Sequence, residues 1–178
     1  MKKFLAVLAA ACLVFCMVGC QQNNVSTGIE TAEMKTIEPP ENGWTSEQLS
    51  EVIYINGINY DYPISLKDLG KDFSVDDSLI LYKNQVAFGG SINNNGTYNS
   101  LSFSISGNYS ELPNKSLINI NGVTLENDME DLLLKMGEPV STTEKDLTRL
   151  IYGSENLKVV FILNKEDKVS FVSLIWEE

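Results

Sequence analysis

The sequence contains no histidine, and its three cysteines, Cys12, Cys16 and Cys20, all lie near the N-terminus. Imidazole and thiolate groups are therefore missing from the rest of the chain. This excludes a Ser-His-Asp triad, a Cys-His nucleophile, a His-ligated zinc and a CxxC redox centre. Disulfides are excluded on the same ground, so we expect a folded domain that its hydrophobic core alone stabilises.

Positive charge is also scarce. Lys and Arg number 13 against 24 Asp and Glu, which gives a formal net charge of −11. The phosphates of a nucleic acid would be repelled by this charge, so we expect no nucleic-acid partner. The same charge disfavours electrostatic docking on anionic lipid, although simple solubility is an equally good explanation of it.

The N-terminus has the pattern of an export signal. Lys2 and Lys3 precede an uncharged, mostly apolar run from Phe4 to Val18. A run of about 15 residues is short for a transmembrane helix, which needs roughly 20, but it suits the apolar region of a signal peptide. An uncleaved anchor and an ordinary secretory peptide are the alternatives.

The run ends at "MVGC", which resembles the lipobox of bacterial lipoproteins, with Met17 in place of the usual Leu. The resemblance implies that residues 1–19 are removed and that Cys20 carries a diacylglyceryl group. The protein would then be anchored through Cys20 on the extracytoplasmic face of the cell membrane.

Residues 20–47 begin with Cys20, and the rest of this range is rich in Gln, Asn, Thr, Glu and Pro and has no sustained apolar period. This composition predicts a disordered tether. Trp44, near the end of that range, either packs on the domain or belongs to a contact surface.

The second half of the chain, residues 114–178, has a clear helix-then-strands pattern. Asn127 and Glu130 form a variant capping box, and Gly137 and Pro139 mark the end of the helix. The apolar positions between them fall on one helical face: Met129, Leu132, Leu133 and Met136.

Two strands, "LKVVFILN" and "KVSFVSLIW", then flank the polar loop "KED" as a hairpin. Alternation assigns the residues of the second strand to two faces. One face holds Val169, Phe171, Ser173 and Ile175, and the other holds Ser170, Val172, Leu174 and Trp176.

The first half, residues 48–113, repeats this plan more loosely. Asn56 and Gly57 predict a type I′ hairpin turn, Ser65 with Asp68 predicts a short capped helix, and strand-like segments follow. Gly57 and Gly122 lie 65 positions apart, as do Leu69 and Leu134. We therefore predict an α+β protein of two small tandem modules, each a short helical segment followed by an antiparallel sheet. Chance similarity between two small α+β halves is the alternative.

The segments 121–139 and 149–175 resemble a module of bacterial envelope lipoproteins. It is similar to the small outer-membrane assembly lipoproteins of the SmpA/OmlA type and to the tandem modules of β-lactamase inhibitor protein. The whole chain resembles lipoproteins of Gram-positive, clostridia-like bacteria that join a divergent first module to this second one. The resemblance implies a fold and a surface location rather than a reaction.

Several acidic pairs and one Asn-rich loop invite a chemical interpretation. Nothing in the sequence brings two carboxylates together across a cleft, as a glycosidase requires. The loop "SINNNGTY" has amide oxygens but no carboxylate for a calcium site. We therefore predict no catalytic residue, no metal and no cofactor.

Tyrosines offer a better binding hypothesis. If Tyr60, Tyr62 and Tyr98 share one sheet face, they would form a binding surface, because tyrosine combines contact area with a polar tip. The alternative is that they line the edge of the core. The predicted function is a lipid-anchored, non-enzymatic, cell-surface module that binds an envelope or secreted protein. The alternative function is a lipoprotein that binds a carbohydrate or another small ligand.

Overall fold

The structure is a computed structural model that describes residues 33–76, 79–82, 85–92, 98–104, 117–154 and 156–176. The helices in these ranges are α1 (Ser46–Val52), α2 (Leu66–Leu69) and α3 (Met129–Met136). The strands are β1 (Ile53–Ile55), β2 (Ile58–Asn59), β3 (Phe73–Asp76), β4 (Leu79–Tyr82), β5 (Gln85–Ile92), β6 (Tyr98–Ser104), β7 (Ile118–Ile120), β8 (Ser141–Glu144), β9 (Thr148–Gly153), β10 (Leu157–Leu163) and β11 (Val169–Trp176). The predicted signal peptide, Cys20 and the start of the predicted tether lie outside the described residues.

Eight strands form one antiparallel sheet in the order β3-β4-β5-β6-β11-β10-β9-β8, and β2-β1-β7 form a smaller antiparallel sheet. The predicted class, α+β with antiparallel sheet, is confirmed in this form. The pairing of β6 with β11 joins strands from both predicted modules in one sheet. The predicted boundary at residues 113 and 114 lies outside the described residues, so the division into two modules stays a prediction.

The core lies on one face of the large sheet. Register places apolar side chains of four neighbouring strands side by side, and none of them is more than 1% exposed. These rows are Leu101, Leu174, Val159 and Tyr152, and then Phe103, Val172, Phe161 and Leu150. Each large apolar side chain buried in this way stabilises the fold by about 1.5–3 kcal/mol.

Helix α1 packs on this core through Leu49 and Val52, both fully buried. Thr45 begins the helix with a capping box, in which Thr45 and Gln48 exchange side-chain and backbone hydrogen bonds. A Cβ atom at Gly153 would lie 2.6 Å from the Leu49 Cδ1 and 2.3 Å from the Leu157 carbonyl oxygen. Glycine at this position therefore allows the helix to approach the sheet.

The predicted helix over residues 128–136 is present as α3, and its apolar face is buried through Leu132 and Met136. Gly137 has a φ of +70°, and its N–H donates to the Leu133 carbonyl, as the predicted helix end requires. The predicted cap at Asn127 is wrong by one residue. Asp128 is the N-cap and accepts from the Asp131 N–H at 2.8 Å.

Asn127 is not free to cap because other groups occupy its side chain. Its Oδ1 accepts from the N–H of Thr124 at 2.6 Å and from the Thr124 hydroxyl at 3.0 Å. Its Nδ2 donates to the Asp131 carboxylate. Asn127 thus orders the turn before the helix.

The predicted final hairpin is confirmed. β10 and β11 are antiparallel, and the Asn164 Oδ1 accepts from the N–H groups of Glu166 and Lys168 in the connecting loop. Val172, Leu174 and Trp176, which alternation assigns to one face, are all buried. A register irregularity between Ile162 and Leu163 changes the alternation at the start of β11, and Val169 is buried as well.

Residues 35–47 fall within the predicted tether, but in the structure they contact the domain. The Lys35 N–H donates to the Tyr54 hydroxyl at 2.8 Å, and Asn121 bonds to both the N–H and the carbonyl of Ile37. Trp44 is 3% exposed, and its Nε1–H donates to the Met136 carbonyl at 2.7 Å. Of the two interpretations of Trp44, the structure supports packing on the domain.

Within the part of the chain that the structure describes, no helix combines the length and the apolar character needed to cross a membrane.

Candidate functional site

Tyr60 follows the β1–β2 hairpin and belongs to the core. Its side chain is 9% exposed, and its hydroxyl has no hydrogen-bond partner among the described residues. Burial, and secondarily the nearby Asp68 carboxylate, raise the pKa of the Tyr60 hydroxyl. Tyr60 therefore lies at the edge of the core rather than on an exposed binding surface.

Tyr62 lies two residues further on and packs against the core from its rim. Its ring meets the Trp176 indole edge to face, with centroids 5.2 Å apart and planes at 63°. Burial raises the pKa of the Tyr62 hydroxyl well above its usual range, and Tyr60 adds to this effect. The phenol is therefore a neutral hydrogen-bond donor over the physiological range.

Tyr98 is the first residue of β6, where its backbone pairs with Ile92 of β5. The side chain of Tyr98 is not among the described parts of the structure. The structure thus brings Tyr60 and Tyr62 into one neighbourhood, and the hypothesis of a three-tyrosine surface stays a prediction.

Beside Tyr62 lies a groove of about 360 Å³, here called the Tyr62–Trp176 groove. Its walls come from the start of α1, the segment after β2, the start of β10 and the end of β11. The lining residues are Ser46, Glu47, Ser50, Asp61, Tyr62, Pro63, Asn156, Leu157 and Trp176. The volume lies within the range of about 300–1,000 Å³ that is typical of small-ligand sites.

Two hydrogen-bond donors in this groove lack partners. The Tyr62 hydroxyl and the Trp176 Nε1–H are both buried, and neither has a hydrogen-bond partner among the described residues. Trp176 itself is 4% exposed. Buried donors are nearly always paired in proteins, so two exceptions side by side mark an unusual place.

Hydrogen bonds connect the wall formed by α1 to the sheet. Ser46 Oγ accepts from the Leu157 N–H at 3.1 Å and hydrogen-bonds Ser154 Oγ at 2.9 Å. Within the helix, Ser50 Oγ donates to the Glu47 carbonyl at 2.7 Å. The protein itself therefore uses part of the hydrogen-bonding capacity of both hydroxyls.

The rim of the groove is acidic. Glu47 and Asp61 are both exposed, and neither forms an ion pair with any described residue. No Lys or Arg is among the residues that line the groove. The arrangement therefore presents carboxylate oxygens around an aromatic floor.

Sequence reasoning identified Tyr62 but missed Trp176, Glu47 and Asp61. The alternation of β11 places Trp176 on the buried face, yet no local signal pairs it with a tyrosine more than a hundred positions away. The tertiary fold, and no local sequence signal, brings Tyr62 into contact with Trp176.

Another groove, of about 350 Å³, lies between residues 36–39 and helix α3. No lining residue of this groove has a buried side-chain polar atom without a hydrogen-bond partner among the described residues. Asn121 makes three hydrogen bonds, and the Lys135 ammonium donates to the Gly122 carbonyl and to the Asp131 carboxylate.

The acidic residues near α3 have structural contacts. Asp128 caps the helix, and Asp131 forms an ion pair with Lys135 at 2.8 Å. Among the described residues no group of three or more His, Cys, Asp or Glu side chains is placed to hold a metal ion. The absence of a cofactor and of catalysis stays a prediction.

No family model and no curated protein matches the chain. Among solved structures the chain is similar to a DUF4309 family protein (YjgB) from Bacillus subtilis subsp. subtilis str. 168, with 18% identity and a TM-score of 0.39. The match covers 60% of this chain and 70% of that chain.

Proposed function

We propose that the protein is a lipid-anchored, non-enzymatic binding protein on the extracytoplasmic face of the cell membrane. In this proposal the Tyr62–Trp176 groove holds a small ligand. Cys20 carries the lipid and residues 1–19 are the signal peptide, on the strength of the lipobox-like "MVGC".

The observation that carries the proposal is the pair of unpartnered donors in a groove of ligand size. Leaving a buried donor without a partner costs about 1–3 kcal/mol. A ligand that accepts hydrogen bonds from Tyr62 and Trp176 would recover that free energy. None of the residues that line the other groove has a buried donor without a partner.

The proposal includes two related modules, and the pairing of β1 with β7 supports them. Ile53 pairs with Ile120, and Ile55 pairs with Ile118. Ile118 lies 65 positions after Ile53, and Ile120 lies 65 positions after Ile55, the same offset that separates Gly57 from Gly122. If each residue is replaced by its counterpart 65 positions away, the same two pairs result. A local twofold axis between β1 and β7 produces such a pairing.

A protein partner is the second candidate. Leu134 is 76% exposed in the middle of α3, beside Ile37 and Pro39. A single exposed leucine is ordinary on a protein surface, so this candidate depends on Leu134 lining one groove together with Ile37 and Pro39. Cross-linking from intact cells that depends on Leu134 and not on Trp176 would favour this function.

The test of the groove uses the full chain in detergent micelles and saturation-transfer NMR. The probes are chitotriose as a neutral oligosaccharide and choline as a small cation. We expect at least one probe to bind, and Trp176→Phe to weaken that binding because it removes the Nε1 donor. Trp44→Phe is the matched control, since the Trp44 donor already bonds to Met136 outside the groove.

Thermal unfolding of both variants separates binding from stability. If Trp176→Phe unfolds early, the rim variant Asn156→Ala replaces it, because Asn156 is exposed and lines the groove. The groove is not a ligand site if neither probe binds, or if binding is unaffected by both groove variants. The anchor is tested separately: Cys20→Ala should abolish fatty-acid labelling of the protein.

A further inference from the structure

We infer that the ligand of the Tyr62–Trp176 groove carries a positively charged amine together with a hydroxyl or carbonyl oxygen. The inference rests on the proposed function and specifies its ligand class. It follows from three features of the groove: the charges at the rim, the aromatic floor and the unpartnered donors.

The rim charges select against anions. Glu47 and Asp61 face solvent, form no ion pair within the described residues, and have no Lys or Arg beside them in the lining. An anionic ligand would meet two like charges there, whereas a cation would meet two opposite ones. The chain's net charge of −11 would also draw cations toward the groove over longer distances.

The floor suits a cation as well. The faces of tyrosine and tryptophan rings carry negative potential, and tryptophan attracts a cation most strongly among the aromatic side chains. Tyr62 and Trp176 meet edge to face, so that two ring systems of different orientation lie next to the same space. Aromatic rings are a general means of recognising substituted ammonium groups.

The donors specify the second part of the ligand. The Tyr62 hydroxyl and the Trp176 Nε1–H need acceptors, which an ammonium group cannot provide. A hydroxyl or carbonyl oxygen next to the ammonium would accept from them. Because the Trp176 Nε1–H is one of these donors, a ligand that occupies it changes the surroundings of the indole.

The test compares choline with 3,3-dimethylbutan-1-ol, its uncharged isostere of nearly equal shape. Both are titrated into the full chain in detergent micelles at low salt, with the Trp44→Phe background leaving Trp176 as the fluorescent reporter. We expect choline to bind at least about tenfold more tightly than the neutral isostere, and added salt to reduce the difference.

Rim variants locate the charge that matters. Glu47→Gln and Asp61→Asn should each weaken choline binding by about three- to tenfold. Glu144→Gln is the matched control, because it removes the same charge from the exposed edge strand β8. These residues are exposed, so the variants should keep the melting temperature of the parent protein.

The outcomes separate this inference from the proposed function. Equal binding of choline and its isostere overturns the inference and leaves the groove as a ligand site. If chitotriose binds, choline does not, and Trp176→Phe abolishes chitotriose binding, the inference is likewise overturned and the groove is still a ligand site. If none of the three compounds binds, the inference and the proposed function fail together. An equal loss of choline binding in Glu47→Gln and Glu144→Gln shows attraction by net charge only and also overturns the inference.

Discussion

The two Asn-Gly turns have nearly the same backbone and very different surroundings. Asn56 and Asn121 have φ values of 53° and 50°, and Gly57 and Gly122 have values of 77° and 82°. The first turn follows β1 and leads to Ile58, which pairs with Ile55. The second follows β7 and leads to Val123, which pairs with Ile120. The local sequence is therefore sufficient to set the turn.

The surroundings decide what the turn stabilises. The Asn56 side chain is half-buried and makes no hydrogen bond to a described residue. Asn121 is 2% exposed, accepts from the Ile37 N–H at 2.8 Å, and donates to the carbonyls of Ile37 and Lys135 at 2.9 and 2.6 Å. One residue type at one conformation thus forms a simple hairpin corner in the first half and joins three segments in the second.

The largest expected difference in the free energy of unfolding is between Asn121→Ala and Asn56→Ala. Both variants place alanine at positive φ, which costs roughly 1 kcal/mol in each. Asn121→Ala also leaves part-buried backbone groups of Ile37 and Lys135 without their partner, so we expect it to cost about 3 kcal/mol in total. Urea unfolding measures both free energies. Equal losses would mean that the three hydrogen bonds of Asn121 contribute nothing beyond the turn.

The two helix ends give a smaller difference. Gly70 ends α2 with φ of +89°, and Gly137 ends α3 with φ of +70°. Alanine costs about 1–3 kcal/mol at either position, because its Cβ disfavours this backbone conformation. At Gly137 the new Cβ would lie 2.9 Å from the Pro39 Cβ, whereas at Gly70 no atom lies within 4 Å.

We therefore expect Gly137→Ala to be about 1 kcal/mol more destabilising than Gly70→Ala, because Pro39 must move. Thermal unfolding of both variants measures this. The comparison also tests whether residues 35–47 pack on the domain in solution. If they do not, Pro39 offers no obstacle and the two variants lose the same stability.

The smallest effect concerns the cap of α2. Hydrogen bonds from the Ser65 hydroxyl at 2.6 Å and the Ser65 N–H at 2.8 Å lower the pKa of the Asp68 carboxyl. A lowered folded-state pKa means that this contribution to stability is present above the pKa of the unfolded chain. It is lost as the pH falls through the folded value.

Ser65→Ala should therefore raise the pKa of Asp68 toward its ordinary value, while Ser65→Thr should leave it low by keeping the hydroxyl. Titration of the Asp68 carboxyl carbon by NMR measures both. A pKa that is identical in all three proteins would show that the hydroxyl has no influence. Because Asp68 is exposed, we expect little change in overall stability.

Local signals predicted the elements that local chemistry controls. The Asn56-Gly57 turn, the end of α3 at Gly137 and the loop after Asn164 all depend on residues within a few positions of each other. The cap at Asn127 was mispredicted because Asn127 and Asp128 are both good caps. Contacts of Asn127 with Thr124 and Asp131 decide between them.

Long-range features were not predictable from one sequence. The contact of Tyr62 with Trp176 and the pairing of β6 with β11 each join distant segments, and many partners of similar hydrophobicity compete for them. Residues 35–47 were assigned to the tether because they are polar on average. Their attachment depends on a few specific groups, Asn121, Tyr54 and the Trp44 side chain, rather than on composition.

The position of β11 has a consequence for how the chain acquires its fold. β11 follows all other described strands in sequence, yet it lies between β6 and β10 within the large sheet. As a ribosome or an export channel releases the chain from its N-terminus, β3–β6 and β8–β10 emerge as two separate ribbons with unpaired edges. They can join only when β11 emerges between them. Folding of the sheet therefore waits for the last strand, and during that interval the two open edges are the places where the chain is most exposed to misassociation.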